Sequence, residues 1–242
     1  MDLGISGRTA VVTGATRGIG AAVARLLRED GAHVVSVARA EGIDVTAPDA
    51  AERIAERAGG VVDILVNNAG TSRILPLEET ADEDWYAAFE LNVMAPMRLM
   101  RRFAPEMAER GWGRIVNVTS SAGKRPSLTW PAYSVAKAAQ HSLSRVVADR
   151  WAGAGVLVNT VAPGPTATPL WLEPGGLADQ VAQREGVSRE EAVARQAAKS
   201  PLGRFGEEEE IAAAIAFLCS ERAGNVAGAA WSADGGSFQS MI

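Results

Sequence analysis

The sequence predicts an α/β fold, a single domain built on a doubly wound, mostly parallel sheet of about seven strands. Three observations carry that expectation. Short strand-like apolar runs alternate with helix-like stretches along most of the chain. Some runs, such as Ile64-Leu65-Val66, are apolar without interruption, as suits a strand covered on both faces. The 242 residues, 47% of them hydrophobic, suffice for one sizeable core, and no linker-like or low-complexity stretch divides them.

In chain order, residues 9–13 form the first strand candidate, 19–28 a helix and 32–38 the second strand. The next crossover is short, with a brief strand expected at 44–46, a helix at 48–58 and a strand at 61–66. Helical sequence then fills 82–110, interrupted or bent near Pro96, which lacks an N–H to continue the ladder. A strand at 114–118, a long helix at 132–152 and a strand at 157–161 follow, and helix 207–219 with strand 228–232 ends the alternation.

Only 164–204 breaks the rhythm. Pro165, Pro169, Pro174 and Gly175-Gly176 punctuate it, ahead of helix-compatible 186–198 and Pro201-Leu202-Gly203. So long an excursion in a compact domain is more often functional than idle, and Leu170, Trp171 and Leu172 are suited to covering an apolar ligand. The segment is expected to be a substrate lid on one catalytic domain spanning 1–242; a packed surface insertion is the alternative.

Composition narrows the function classes. A single cysteine, Cys219, excludes an internal disulfide framework, and two distant histidines, His33 and His141, give metal chemistry little to use. A net charge of -5 argues against a broad nucleic-acid-binding surface. The apolar runs fall far short of a bilayer span, and 1–14 has neither a basic leader nor a long hydrophobic region. No membrane partner and a cytoplasmic location are therefore expected.

Gly14, Arg17, Gly18, Ile19 and Gly20 lie in the turn between the first strand and the first helix. Glycine allows close backbone approach there, and the helix start presents unpaired N–H groups to phosphate. The turn lacks a Gly-Lys-Ser/Thr ending, which disfavours a kinase-type phosphate loop. In a Rossmann-like dinucleotide site the end of the second strand discriminates the cofactor: a carboxylate there binds the ribose hydroxyls of NAD. Here that position is Ala38, followed by Arg39, whose planar donor fork suits a 2′-phosphate. NADP(H) is favoured over NAD(H), with Arg17 a second phosphate candidate and Glu41 a nearby opposing charge. A solvated surface role for both arginines stays open.

Tyr133 and Lys137 are four residues apart and share one face of the long helix. A nearby ammonium favours the ionised phenol, which suits proton exchange with a carbonyl or alcohol oxygen. Ser120 follows a strand and is placed to donate to the same oxygen. By themselves the tyrosine and lysine could equally be an ordinary helix-surface pair. Asn92 sits four residues before Pro96, so its carbonyl is left free to bind water.

In their joint order, Thr13-Gly14 through Gly20, Asn67-Asn68-Ala69-Gly70, Asn92, Ser120, Tyr133 with Lys137, and Pro163-Gly164 resemble the short-chain dehydrogenase/reductase family over almost the whole chain. The resemblance implies that Ser120 aligns the substrate oxygen and Tyr133 is the acid/base. It assigns the nicotinamide ribose to Lys137 and support of a water-mediated proton relay to Asn92. The family's serine precedes its tyrosine by thirteen positions, which selects Ser120 over Ser121. Cofactor contacts implied in the same way are Asp44 and Val45 on the adenine side, Asn68, Ala69 and Gly70 after the fourth strand, and Pro163, Gly164 and Thr168 near the nicotinamide. Asp44 has a bland alternative as a loop carboxylate, and the compressed crossover after Arg39 leaves little room on that side.

The expected activity is NADP(H)-dependent interconversion of a carbonyl and an alcohol. Within the family, Thr13 to Gly20 and Leu202-Gly203-Arg204-Phe205-Gly206 resemble 3-oxoacyl-carrier-protein reductases. Arg101, Arg102, Arg145 and Arg150 are then candidates to meet an acidic acyl carrier protein, or are plain helix-surface charges. A hydrophobic or cyclic secondary alcohol or ketone, walled by Trp130, Leu170 and Trp171, is the alternative substrate. A non-catalytic NADP(H) sensor is a more distant alternative. Self-association as a tetramer is expected through 92–110 and 132–152, partly by the resemblance and partly because Ala136, Ala138 and Ala139 permit close packing.

Overall fold

The computed structural model describes residues 2–239. Six strands form one parallel sheet: β1 (Thr9–Thr13), β2 (His33–Val37), β3 (Ile64–Asn67), β4 (Gly113–Val118), β5 (Val156–Pro163) and β6 (Ala230–Ala233), in the spatial order β2-β1-β3-β4-β5-β6. The central strands β3, β4 and β5 are buried at every position, which is why their sequences show no alternation. The chain passes from β1 to β2 on one side and then to β3 on the other. This reversal opens a crevice at the carboxyl ends of β1 and β3.

Helices cover both faces. On one, α1 (Gly18–Glu29) packs beside α10 (Glu208–Leu218), and Val23, Leu27, Ile211 and Ile215 meet Val12, Val66 and Val116 of the sheet. On the other, Ile54 of α2 (Ala50–Arg57) and Leu99, Phe103 and Met107 of α4 (Ala95–Glu109) pack on Val11, Leu65 and Ile115. The long α6 (Pro131–Trp151) lies on this second side, against α4 and β5.

Two local expectations need correction, and a third takes a definite form. Residues 44–46 form a turn, not a strand, so the sheet has six strands among the described residues. Asp44 bonds the Thr46 N–H (3.0 Å) and hydroxyl (2.8 Å), a local closure that competes with extension into a sheet ladder. The region after β5 also holds more helix than expected. It contains α7 (Pro169–Leu172), α8 (Leu177–Glu185) and α9 (Arg189–Ala197), and Gly186 at φ +66 ends α8, so the expected single helix at 186–198 is only the second of a pair. The break near Pro96 takes a defined form: α3 (Asp82–Phe89) continues into a π-helical turn, Glu90–Met94, before α4 begins. Pro96 cannot donate to the ladder, and the Ala95 N–H reaches back five residues to the Glu90 carbonyl.

Among the described residues no helix is long and apolar enough to cross a membrane, and no group of three or more His, Cys, Asp or Glu is placed to hold a metal ion.

Candidate active site

The crevice above β1 and β3 opens into a cleft of about 830 Å³. Its floor is set by backbone fit. Thr13, the last residue of β1, accepts the Asn68 and Ala69 N–H groups at 3.0 Å each, and Asn68 Nδ2 donates to the carbonyls of Thr13 (2.9 Å) and Gly14 (3.2 Å). These bonds hold the glycine-rich turn against the segment after β3. A Cβ on Gly20 would lie 2.3 Å from the Gly14 carbonyl oxygen and 2.4 Å from Asn68 Nδ2, so only glycine fits.

The expected dinucleotide residues separate into three groups. Gly14, Arg17, Gly18, Ile19, Arg39, Asn68, Ala69, Gly70, Pro163, Gly164 and Thr168 line the cleft. Gly20 does not; it is the packing glycine that lets α1 start against the turn. Asp44 and Val45 also lie outside it. Asp44 is committed to Thr46, whose donors hold its carboxyl below the usual range, and Val45 is buried in the core beside α2. Arg17 carries a further surprise, because its guanidinium pairs with Glu173 of the segment after α7 at 2.7 Å. The two residues lie 156 positions apart, and no local pattern marks their contact.

Ser120, Tyr133 and Lys137 meet at one wall of the same cleft. Ser120 follows β4 and caps the short α5 (Ser121–Lys124), its Oγ accepting the Ala122 N–H at 3.1 Å. Tyr133 stands in the first turn of α6, with its hydroxyl drawn out of water. Burial pushes its pKa up to about 12, while the adjacent Ser120 side chain eases ionisation. Lys137 is almost wholly buried and, with its charge deprived of water, is pushed down to about 7. Its ammonium donates to the Val118 carbonyl (2.8 Å) and to Gln140 Oε1 (3.0 Å), and lies 5.7 Å from the Tyr133 ring centre. The shift of the phenol is set by its desolvation, opposed only by Ser120, and the expected lowering by the lysine has no part in it.

Asn92 is not on the cleft wall but directly behind it. The π-helical turn buries it, Nδ2 donates to the Ala88 carbonyl at 2.9 Å, and Oδ1 has no partner among the described residues. That oxygen lies 3.6 Å, and Lys137 Nζ 3.9 Å, from the position a Cβ would take on Gly70. His141 does not compete as a proton carrier. Burial pushes it down to about 4, so it is neutral at physiological pH, and its Nδ1 faces Thr160 Oγ1 at 3.0 Å.

An aromatic chain runs from this wall into the segment after β5. Tyr133 is 6.4 Å from Trp130, Trp130 meets Trp171 edge-on at 6.0 Å, and Trp171 meets Phe205 at 5.2 Å. Ile74, Leu177 and Ala178 complete the cluster, so α7 and α8 sit over the tyrosine end of the cleft. Of the four arginines considered for a carrier protein, Arg101 is exposed and forms no ion pair among the described residues, and the other three have contacts within the chain. Arg102 pairs with Glu52 (2.9 Å) and Glu106, Arg145 with Asp149 (2.6 Å), and Arg150 lies over the Trp151 ring at 4.4 Å.

Comparison with known proteins agrees with this geometry. A family model described as enoyl-(acyl carrier protein) reductase matches residues 14–237. D-beta-hydroxybutyrate dehydrogenase of Cupriavidus necator is 34% identical over 96% of this chain and 98% of its own length. Acetoacetyl-CoA reductase of Rhizobium meliloti is 32% identical over 96% and 98%. The crystal structure of L-sorbose reductase from Gluconobacter frateurii complexed with NADPH and L-sorbose superimposes with a TM-score of 0.90 at 35% identity, covering 100% of both chains.

Proposed function

Because the chain belongs to the short-chain dehydrogenase/reductase family and is an NAD(P)(H)-dependent oxidoreductase acting between a carbonyl and an alcohol, we propose that it reduces a small ketone to a secondary alcohol with NADPH. The observation that carries the reading is the convergence of Ser120, Tyr133 and Lys137 on one wall of the cleft, with the phenol held in its protonated form. A protonated tyrosine is the form that gives a proton to a carbonyl oxygen as that oxygen becomes an alcohol. The Ser120 hydroxyl supplies the second hydrogen bond to the developing charge. Lys137 and the unpartnered Asn92 Oδ1 border the same position beside Gly70, which suits a water that returns a proton to Tyr133.

The cleft fits a dinucleotide through the glycine-rich turn, Asn68, Ala69, Gly70, Pro163, Gly164 and Thr168, with Lys137 holding the nicotinamide ribose. When bound, the nicotinamide supplies or accepts the hydride. Arg39 lines the cleft beyond β2, where Ala38 offers no carboxylate, and this supports NADP(H) over NAD(H). Arg39→Ala is expected to weaken NADPH binding about 10-fold or more, the scale of one charge-assisted contact, and NADH much less. Fluorescence titration with both cofactors measures this, and equal losses would mean a structural role for Arg39.

The space in the cleft supports a small substrate. A cleft of about 830 Å³ that must take a dinucleotide leaves room for a small molecule, walled by Trp130, Leu170 and Trp171. This supports a secondary alcohol or ketone over a protein-bound acyl chain, as do the internal partners of Arg102, Arg145 and Arg150. In this reading residues 164–204 are the lid of a single catalytic domain, and the enzyme is a homotetramer assembled through α4 and α6. NADPH oxidation over a panel of ketoses, cyclic ketones, acetoacetate, acetoacetyl-CoA and a carrier-linked 3-oxoacyl thioester tests the proposal. Turnover confined to the carrier-linked arm would reject the small-ketone reading, and binding without turnover anywhere would reject catalysis.

A further inference from the structure

On α6, Lys137 is followed one turn later by Gln140, a polar residue at a fully buried position. Three residues apart on a helix, the two side chains are neighbours. The Gln140 side-chain oxygen accepts one ammonium proton at 3.0 Å, the Val118 carbonyl accepts another at 2.8 Å, and the third has no partner among the described residues. The Gln140 backbone is tied into a buried polar chain. Its carbonyl accepts the Ser144 hydroxyl (2.6 Å), Ser144 Oγ accepts Asn117 Nδ2 (2.8 Å), and Asn117 Oδ1 accepts Asn67 Nδ2 (2.7 Å). A buried polar chain thus runs from β3 through β4 into α6 and ends beside the ammonium.

Among the described residues no carboxylate pairs with this ammonium. Its titratable neighbours are Tyr133 and His141, both on its own helix, and Lys124 of α5 acts on His141. The π-helical turn presents the uncharged Asn92, the segment after β3 presents Gly70, and β4 presents a carbonyl.

Resting on the oxidoreductase reading above, we propose that Gln140 is a positioning residue: its neutral side-chain carbonyl anchors the Lys137 ammonium on the sheet side and leaves the third N–H for the reaction site. An amide suits this better than a carboxylate would. It favours the protonated lysine without neutralising it, so the positive charge stays available to Tyr133 and to the cofactor ribose. Asn67, Asn117 and Ser144 act one step further back, through the Gln140 backbone.

Gln140→Leu and Gln140→Glu test the assignment in opposite directions. The ammonium is the working form, so activity falls as pH rises through its pKa. Removing the acceptor should move that limb of the kcat/KM profile down by about one pH unit, the scale of a hydrogen bond to a charged group. It should also lower kcat by about 10-fold or more through lost alignment, with KM little changed. Gln140→Glu should move the limb upward. NADPH binding by fluorescence across pH should move in the same directions with no substrate present. A merely structural glutamine would lower stability and leave both limbs in place, and that result would overturn the proposal. If Gln140→Leu does not fold, an unmoved limb in Gln140→Glu is sufficient to reject it. The two readings fail separately: absence of turnover by the wild type counts against the reductase, whereas an unmoved binding limb counts against Gln140.

Discussion

Tyr133 and Lys137 lie one turn apart on α6, and each pays for its position in lost contact with water. Tyr133→Phe keeps the aromatic packing against Trp130 and removes only the ionisable oxygen. Carbonyl reduction is therefore expected to fall about 100-fold or more while NADPH affinity and the unfolding midpoint change little. Single-turnover kinetics beside fluorescence titration and denaturation measure the three quantities; near-normal reduction would mean that another group protonates the product. Lys137 makes a pH-dependent prediction. Its folded value of about 7 lies below the ordinary 10.5, so between these values the unfolded chain binds a proton that the folded protein releases. Stability from this group is lowest below pH 7, where the buried ammonium must be carried, and rises toward pH 10.5. Lys137→Met should accordingly gain most over the wild type in urea denaturation near pH 6, and the difference should shrink as pH rises toward 10. A difference independent of pH would show that the lysine is not held against its charge. Both residues were legible from their spacing and company. Gln140 belongs to none of the motifs, although its place one turn beyond Lys137 is a usable signal. Glu173 as the partner of Arg17 had none, because nothing local in the sequence reports a contact across the cleft.

The segment between β5 and α10 is where local pattern gave least. Proline and glycine mark it as irregular, and α8 is hard to read because it is short and bounded by Gly176 and Gly186, although Leu177, Ala178, Val181 and Ala182 keep a helical spacing. What holds these helices down is a small aromatic and aliphatic cluster plus the Arg17–Glu173 pair. Both members of that pair are more than half exposed, so it contributes little to stability and is weakened by salt. The segment should therefore open far more easily than the sheet unfolds. Limited proteolysis is expected to cut first within 173–189, faster at high salt and more slowly with saturating NADPH. Cleavage that starts in the sheet connections, or that ignores the cofactor, would contradict a movable lid. The crossover after β2 failed to match expectation for a different reason: the valine and threonine of 44–46 favour a strand, but the Asp44 side chain closes a turn before any ladder partner is reached.

At the scale of the whole molecule the parallel sheet and its two helical layers are readable from the alternation of elements and from the largely apolar central strands, whereas the strand order is written in no local pattern. Assembly is a separate question, and it turns on side chains that the isolated fold leaves in water. Val146, 64% exposed, and Val135, 42% exposed, stand on the outer side of α6, and Tyr86 of α3, 71% exposed, is also uncovered. Covering such side chains between two copies of α6 is the simplest symmetric use for them. Val146→Asp is expected to halve the assembly mass in light scattering with the fold intact, and an unchanged mass would move the interface elsewhere. One consequence of the missing strand concerns engineering. The link from β2 to α2 is short and pinned, with Arg53 and Arg57 bonded to the carbonyls of Gly42 and Glu41, and open space surrounds Gly42. Foreign sequence grafted at Gly42 would leave from a fixed stem, three strand positions from β4, or about 14 Å at the usual strand spacing. A fluorescent reporter carried there would sit beside Arg39 at the rim of the cleft and sense its occupancy, leaving the proton-transfer wall untouched.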